Sequence, residues 1–102
     1  MEWLRKQGRR PVNESHLNKG WDIACGDDKF EVKGRKSKGT AIRLSQNEWA
    51  AAERFRKRYT VLVFTAVTKN KLHQAMPKQI ADPASNPESW QPRVVYEYIL
   101  VE

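Results

Sequence analysis

The chain has 102 residues with a formal charge of +7, from 19 basic and 12 acidic side chains, and 39% of its residues are hydrophobic. This length suits one small domain with one core and excludes a multidomain organisation, while the positive charge favours polyanionic partners. The longest apolar run, 59–67, is about half as long as a membrane-spanning helix requires, and one cysteine can form no internal disulfide, so we expect a cytoplasmic protein without membrane association.

The first half of the chain predicts a short helix followed by a β-hairpin. Residues 3–7 can form about two helical turns, which Gly8 then ends. Alternation of apolar and polar side chains predicts strands over 21–25 and 30–33, joined by a tight turn.

The second half of the chain predicts a helix between strands. Ser45, with Glu48 three positions later, forms a capping box that begins an amphipathic helix. This capping role is a sufficient reason for Glu48 to be present, and a contribution of Glu48 to the site is the alternative. The predicted elements are a strand over 40–44, the helix over 46–58, a buried central strand over 59–67, a proline-rich arm over 68–92 and a strand over 93–101. Residues 1–102 therefore predict a single α/β domain with a mixed sheet.

The hairpin presents a polar face that carries the residues of chemical interest. Glu31 and Lys33 are two apart in one strand and therefore share a face. If Gly26 and Asp27 form a two-residue loop, Asp22 lies directly opposite Glu31. Two facing carboxylates repel each other, and a divalent cation such as Mg²⁺ would offset that repulsion. Lys33 beside such an ion could orient an attacking water or offset charge on a phosphate oxygen.

The alternative is that these three side chains form a solvated face of the sheet, where Lys33 neutralises the two acids. An acid followed by a Glu-x-Lys pattern more often forms such a solvated face than a catalytic site. In the catalytic interpretation we expect Asp22 and Lys33 on the solvent side of the sheet, so that either can be replaced without loss of the fold.

Three stretches around these residues carry a family resemblance. They are Gly20-Trp21-Asp22-Ile23, Phe30-Glu31-Val32-Lys33-Gly34-Arg35 and Leu44-Ser45-Gln46-Asn47-Glu48-Trp49. Together they resemble the PD-(D/E)XK nuclease superfamily, and most nearly its NO VEIN C-terminal-like domain of restriction and helicase-associated proteins. The likeness covers residues 8–83, and the predicted order of helix, three strands, helix and strand is similar to that restriction-endonuclease-like core, with a C-terminal strand added.

The resemblance implies a metal-dependent endonuclease that hydrolyses DNA phosphodiester bonds, with a role in defence. It implies that Asp22 and Glu31 ligate Mg²⁺, for which Mn²⁺ can substitute, with the Val32 carbonyl as a further candidate ligand. It also implies that Lys33 is the catalytic lysine. Leu4 stands where relatives often carry an additional acid, and the first helix is short. A catalytically weak or inactive module of the same fold, which binds nucleic acid or anchors an assembly, therefore stays an alternative.

Basic side chains next to the proposed site predict a surface for a phosphate backbone. They are Arg35, Lys36 and Lys38 after the second strand, and Arg54, Lys57 and Arg58 on the helix. The alternative is a solvated turn and a solvated helix face. We expect DNA as the partner, and we leave open a homodimer or an association with a helicase or ATPase component.

Overall fold

The computed structural model of the chain describes residues 2–36, 41–65, 76–92 and 97–100. Two α-helices lie in these ranges, α1 (Glu2–Lys6) and α2 (Gln46–Phe55). The strands are β1 (Val12–Asn13), β2 (Ile23–Cys25), β3 (Asp28–Arg35), β4 (Arg43–Ser45), β5 (Tyr59–Thr65), β6 (Lys78–Ala81), β7 (Trp90–Pro92) and β8 (Glu97–Leu100). No helix in the described ranges is long and apolar enough to cross a membrane.

The larger sheet has five strands in the order β1-β2-β3-β5-β6. Its central pair, β3 and β5, is parallel, and the other neighbours are antiparallel. A parallel pair needs a crossover connection, and α2 lies in the segment that links these two strands. The predicted α/β class with a mixed sheet is confirmed, and this arrangement is compatible with a restriction-endonuclease-like fold.

A second sheet has the order β4-β8-β7 and contains the remaining strands. The strand predicted over 40–44 is described as β4, which pairs with β8 and not with the hairpin. Ile42 and Leu44 are almost fully buried in the core beneath α2, which explains their alternation with Arg43. The final strand, predicted over 93–101, is described over Glu97–Leu100, and its flanks lie outside the described residues.

The helix α2 begins with the predicted capping box, which the structure confirms. The Ser45 hydroxyl accepts a hydrogen bond from the Glu48 backbone N–H, and the Glu48 side chain accepts one from the Ser45 N–H. The α-helix ends at Phe55, because Arg56 has a φ of +48° and starts a 3₁₀ turn over Arg56–Arg58. The helix predicted over 46–58 is therefore shorter, with its last turn tightened.

Two apolar clusters cover the two faces of the larger sheet. Trp49 of α2 packs with Val61 and Val63 on one face, and Leu4 of α1 packs with Leu62 on the other. Val61, Leu62 and Val63 are at most 2% exposed, so the described part of the predicted central strand is covered on both faces. This double cover agrees with its uninterrupted apolar sequence.

The described part of the proline-rich segment packs on the domain. Residues 78–81 form β6, which pairs with β5, and Pro83 and Pro87 each begin a 3₁₀ turn. Trp90 is buried, with its ring 5.8 Å from the ring of Trp49. Residues 68–75 of the predicted arm lie outside the described residues.

Candidate active site

The hairpin formed by β2 and β3 has the register that the sequence predicts. Cys25 lies opposite Asp28, and Ile23 lies opposite Phe30. The regular ladder ends at this pair. The next backbone N–H, that of Asp22, donates at 2.9 Å to the carbonyl of Phe30, the residue that already pairs with Ile23. Asp22 thus lies one residue beyond the ladder, beside the β3 strand, and the predicted pairing of Asp22 directly opposite Glu31 is not part of that ladder.

The side chain of Asp22 is fixed by the backbone of β3. Its Oδ2 accepts a hydrogen bond of 2.9 Å from the Val32 N–H. The N–H and carbonyl of one strand residue point to the same edge, so the Val32 carbonyl faces the side on which Asp22 lies. The Asp22 carboxylate and the Val32 carbonyl therefore both present oxygen atoms, the kind of ligand that a hard metal ion prefers, at one edge of β3.

Asp22 and Glu31 line the same cavity, which has a volume of about 60 Å³. A cavity needs roughly 10–15 Å³ of such volume to hold one water molecule, so this cavity has room for an ion and a few waters. Glu48 of α2 also lines it. The other lining residues are Ser15, Asn18, Gly20, Trp21, Ser45 and Asn47.

Lys33 joins the two glutamates of this cluster. Its Nζ lies 3.2 Å from Glu31 Oε2 and 2.9 Å from Glu48 Oε1. Glu31 is only 4% exposed, and the polar face of β3 lies under α2. The side chains of Asp22 and Lys33, expected on the solvent side of the sheet, are each half-buried, because α2 folds back across part of this face.

Burial determines the charges of this cluster. Burial, and then the hydrogen bond and repulsion from Glu48, raise the pKa of Glu31 to about 9. Burial alone would also raise the pKa of Glu48, but hydrogen bonds with Glu31, Lys33 and Ser45 outweigh it and lower that pKa. Burial opposes the charge of Lys33, and its contacts with both glutamates nevertheless raise its pKa. In the absence of a metal, burial thus favours the protonated form of Glu31, while the hydrogen bonds of Glu48 and Lys33 favour the charged forms of those two groups.

The basic residues after β3 differ in their exposure. Arg35 is 9% exposed, and its Nε donates a hydrogen bond of 3.0 Å to Thr65 Oγ1 on β5. Lys36 is exposed, and Lys38 lies outside the described residues. Arg35 therefore contributes to the sheet, and its predicted phosphate contact would require this buried side chain to move.

The basic residues at the end of α2 are exposed. The guanidinium of Arg54 lies 5.0 Å from the centre of the Phe55 ring, and Lys57 is open to solvent. Arg58 is 59% exposed, with one guanidinium nitrogen 3.5 Å from Asp28 in the hairpin. An exposed pair of this kind contributes little to stability, so Arg58 remains accessible to an anionic ligand.

The donor set at the cavity fits a hard divalent cation. The Asp22 and Glu31 carboxylates line the cavity, the Val32 carbonyl lies at the same edge of β3 as Asp22, and Mg²⁺ typically combines one or two carboxylates with waters. Within the ranges that the structure describes, no group of three or more His, Cys, Asp or Glu side chains is arranged to hold a metal. Any ion here would therefore depend on Asp22, Glu31, the Val32 carbonyl and water.

A comparison with protein families matches residues 1–76 to the family described as Protein NO VEIN, C-terminal. The chain belongs to this family. The matched residues of this NO VEIN C-terminal domain include the hairpin, α2 and β5, and so contain every side chain of the Asp22, Glu31, Lys33 and Glu48 cluster. A comparison with curated proteins found no match.

Two features of the NO VEIN C-terminal domain were not predicted from its sequence. One is the contact of Glu48 with Lys33, described above. The other is a cation–π contact of Lys29. Its Nζ lies 4.9 Å from the centre of the Trp21 ring and 5.5 Å from the centre of the Phe55 ring. Strand alternation places Lys29 on the same face as Glu31, and this pattern in the sequence indicates that Lys29 lies on the side of the sheet that carries the site.

The buried carboxyl of Glu31 predicts a pH-dependent stability of the metal-free domain. Its folded pKa of about 9 exceeds its ordinary value of 4.5, so its stabilising contribution is full below pH 4.5 and is lost as the pH rises through about 9. In EDTA we expect the free energy of unfolding to fall between about pH 6 and 9, by up to roughly 1 kcal/mol per pH unit. Glu48 is ionised in folded and unfolded states across this range and adds no slope.

The Glu31→Gln variant isolates this effect, because an amide cannot ionise. We expect its urea unfolding to depend much less on pH than that of the wild-type domain. Equal pH slopes for the two proteins would contradict a neutral, buried Glu31.

Gly20 lets the segment before Asp22 approach α2 closely. Its φ is +104°, and a Cβ there would lie 2.7 Å from the Asn47 carbonyl oxygen and 2.8 Å from the Ala51 Cβ. The Gly20 carbonyl also accepts a hydrogen bond of 2.8 Å from the buried Tyr59 hydroxyl. These contacts fix the position of the backbone that leads into the site.

We expect Gly20→Ala to lower the free energy of unfolding by about 3 kcal/mol, since backbone strain adds to overpacking. Gly26→Ala is the matched control, because Gly26 also has a positive φ but a Cβ there would meet nothing within 4 Å. That control should lose only about 1 kcal/mol. Similar losses in urea unfolding would show that the close approach to α2 is unimportant.

Proposed function

We propose that this NO VEIN C-terminal domain is a metal-dependent nuclease of the PD-(D/E)XK superfamily that hydrolyses DNA phosphodiester bonds. The observation that carries the proposal is the convergence of two carboxylates and a lysine. Asp22 and Glu31 line one cavity, and Lys33 Nζ lies 3.2 Å from Glu31. Paired acidic ligands beside an ammonium group provide the charges that hydrolysis of a phosphate diester requires.

In this proposal Asp22, Glu31 and the Val32 carbonyl would hold Mg²⁺ or Mn²⁺. When bound, such a cation acts as a Lewis acid, which favours the ionisation of water and offsets negative charge on the phosphate. Lys33 orients the attacking water and donates to a phosphate oxygen. The hydrogen bond from the Val32 N–H keeps the Asp22 carboxylate in place, and α2 limits the access of bulk water to Glu31.

Exposed cations support DNA as the substrate. Lys36, Arg54, Lys57 and Arg58 are exposed in a chain with a formal charge of +7. Lys29 adds positive charge over the Trp21 ring, which directly precedes Asp22. We assign backbone phosphate contacts to these residues and leave Arg35 to its role in the sheet.

A nuclease panel tests the proposal. The purified domain is incubated with linear, supercoiled, single-stranded and branched DNA and with RNA, in Mg²⁺ and in EDTA. We expect cleavage of DNA that requires the divalent cation. A protein that binds Mg²⁺ but cuts none of these substrates would contradict the proposal.

A second candidate is a nucleic-acid-binding module without turnover. The observation in its favour is that Lys33 contacts both Glu31 and Glu48, which balances the cluster without a metal. This candidate predicts a salt-dependent DNA affinity that neither EDTA nor Asp22→Asn changes. The catalytic proposal predicts instead that Asp22→Asn abolishes cleavage.

A further inference from the structure

The carboxylate of Glu48 connects the start of α2 to the site lysine. Its Oε1 accepts one hydrogen bond of 2.8 Å from the Ser45 backbone N–H and another of 2.9 Å from Lys33 Nζ. The Glu48 N–H in turn donates to the Ser45 hydroxyl at 3.1 Å. One oxygen atom therefore serves both the helix cap and a lysine on a distant strand.

Capping alone does not account for this arrangement. A capping box joins residues three apart and can use glutamine as well as glutamate at its third position. Glu48 instead has a side chain that is only 19% exposed, lines the cavity and contacts a lysine 15 residues away in sequence. The negative charge at this position is thus directed at Lys33 as well as at the helix N-terminus.

The contact restricts an otherwise flexible side chain. A lysine has a four-carbon stem, and its ammonium has three donors that can rotate. In Lys33, one donor faces Glu31 and another faces Glu48, so the nitrogen is fixed from two sides.

We propose that Glu48 is the positioning residue for Lys33, and that the capping box of α2 thereby holds the site ammonium beside the cavity. This inference rests on the proposed hydrolytic function, in which Lys33 must be held where it can orient the attacking water. Ser45 restrains the Glu48 carboxylate, Glu48 restrains Lys33, and Lys33 acts on the substrate. The helix cap and the active site are consequently one structural unit.

The Glu48→Gln variant separates the two roles of this side chain. Glutamine retains the capping acceptor but loses the charge that holds the ammonium. We expect kcat for Mg²⁺-dependent DNA cleavage to fall between about 10-fold and 100-fold, as a displaced catalytic group does, with little change in KM. Glu53→Gln is the matched control, because Glu53 is an exposed glutamate on the same helix and should keep the wild-type kcat.

A second readout does not need activity. The side-chain ammonium signal of Lys33, observed by ¹⁵N NMR, should be visible in the wild-type domain and in Glu53→Gln because hydrogen bonds slow its exchange with water. In Glu48→Gln we expect exchange several-fold faster and the signal broadened or lost. Circular dichroism and urea unfolding verify that Glu48→Gln is folded.

The outcomes are distinct. Loss of both kcat and the ammonium signal in Glu48→Gln supports the positioning role. An unchanged kcat with an unchanged signal overturns it, and so does a raised kcat, which would mean that Glu48 sequesters Lys33. If the wild-type domain cuts no substrate but Glu48→Gln loses the ammonium signal, the contact is supported while the proposed nuclease function fails.

Discussion

We expect the Lys33→Met variant to lose at least about 100-fold of the Mg²⁺-dependent DNA cleavage rate, the size typical of a lost acid-base or charge-stabilising group. Methionine keeps an unbranched apolar stem but has no ammonium. The position 3.2 Å from Glu31 would then hold no group that can orient water or donate to a phosphate oxygen. Initial rates of cleavage of supercoiled DNA measure the effect.

The same variant should also be less stable, contrary to the expectation that Lys33 can be replaced without effect on the fold. Its loss leaves Glu31 and Glu48 together under α2 without a cation, which is unfavourable for partly buried acids. Cleavage must therefore be assayed well below the midpoint of thermal unfolding. Lys6→Met, on α1 across the sheet, is the control, and a wild-type cleavage rate in Lys33→Met would refute the catalytic role of Lys33.

We expect the Asp22→Asn variant to bind Mg²⁺ or Mn²⁺ roughly 100-fold more weakly, a loss of about 2.8 kcal/mol, and to lose cleavage with it. Asparagine can still accept the hydrogen bond from the Val32 N–H, so the backbone at the end of the hairpin should keep its shape. What it lacks is the negative charge that a hard cation requires. Isothermal titration calorimetry measures the affinity.

Asp27→Asn is the matched control for this measurement. The Asp27 side chain lies in the hairpin turn and is 87% exposed, so its loss should leave metal affinity unchanged. If Asp22→Asn binds Mg²⁺ as tightly as the wild-type domain does, the ion is held elsewhere and Asp22 is not its ligand.

Local features of this domain could be predicted from its sequence. The two-residue turn at Gly26 and Asp27 sets the hairpin register, because turn length and strand pairing are coupled over a few residues. The capping box depends on two side chains three positions apart and was equally visible. Alternation along β3 also placed Glu31 and Lys33 on one face. The same rules place Asp22 directly opposite Glu31, but the ladder stops at Ile23 and the Asp22 N–H donates to the Phe30 carbonyl, so the two residues share a cavity without forming that pair.

Features that depend on contacts between distant segments could not be predicted. Nothing near Glu31 in sequence indicates that α2 covers it, and so its burial and raised pKa were missed. Arg35 has the sequence context of a solvated turn, but its partner Thr65 lies on β5. The pairing of β4 with β8 likewise joins segments more than half the chain apart. Such contacts are selected by tertiary packing, which local propensity does not specify.

A crystal of the wild-type domain grown with Mn²⁺ tests the central claim most directly, because anomalous scattering locates the ion itself. We predict a peak between Asp22 and Glu31, with a carboxylate oxygen of each residue within about 2.2 Å of it. A Mn²⁺ peak that contacts neither carboxylate, with Lys33 still bridging Glu31 and Glu48, would contradict the assignment of a metal-dependent hydrolytic site.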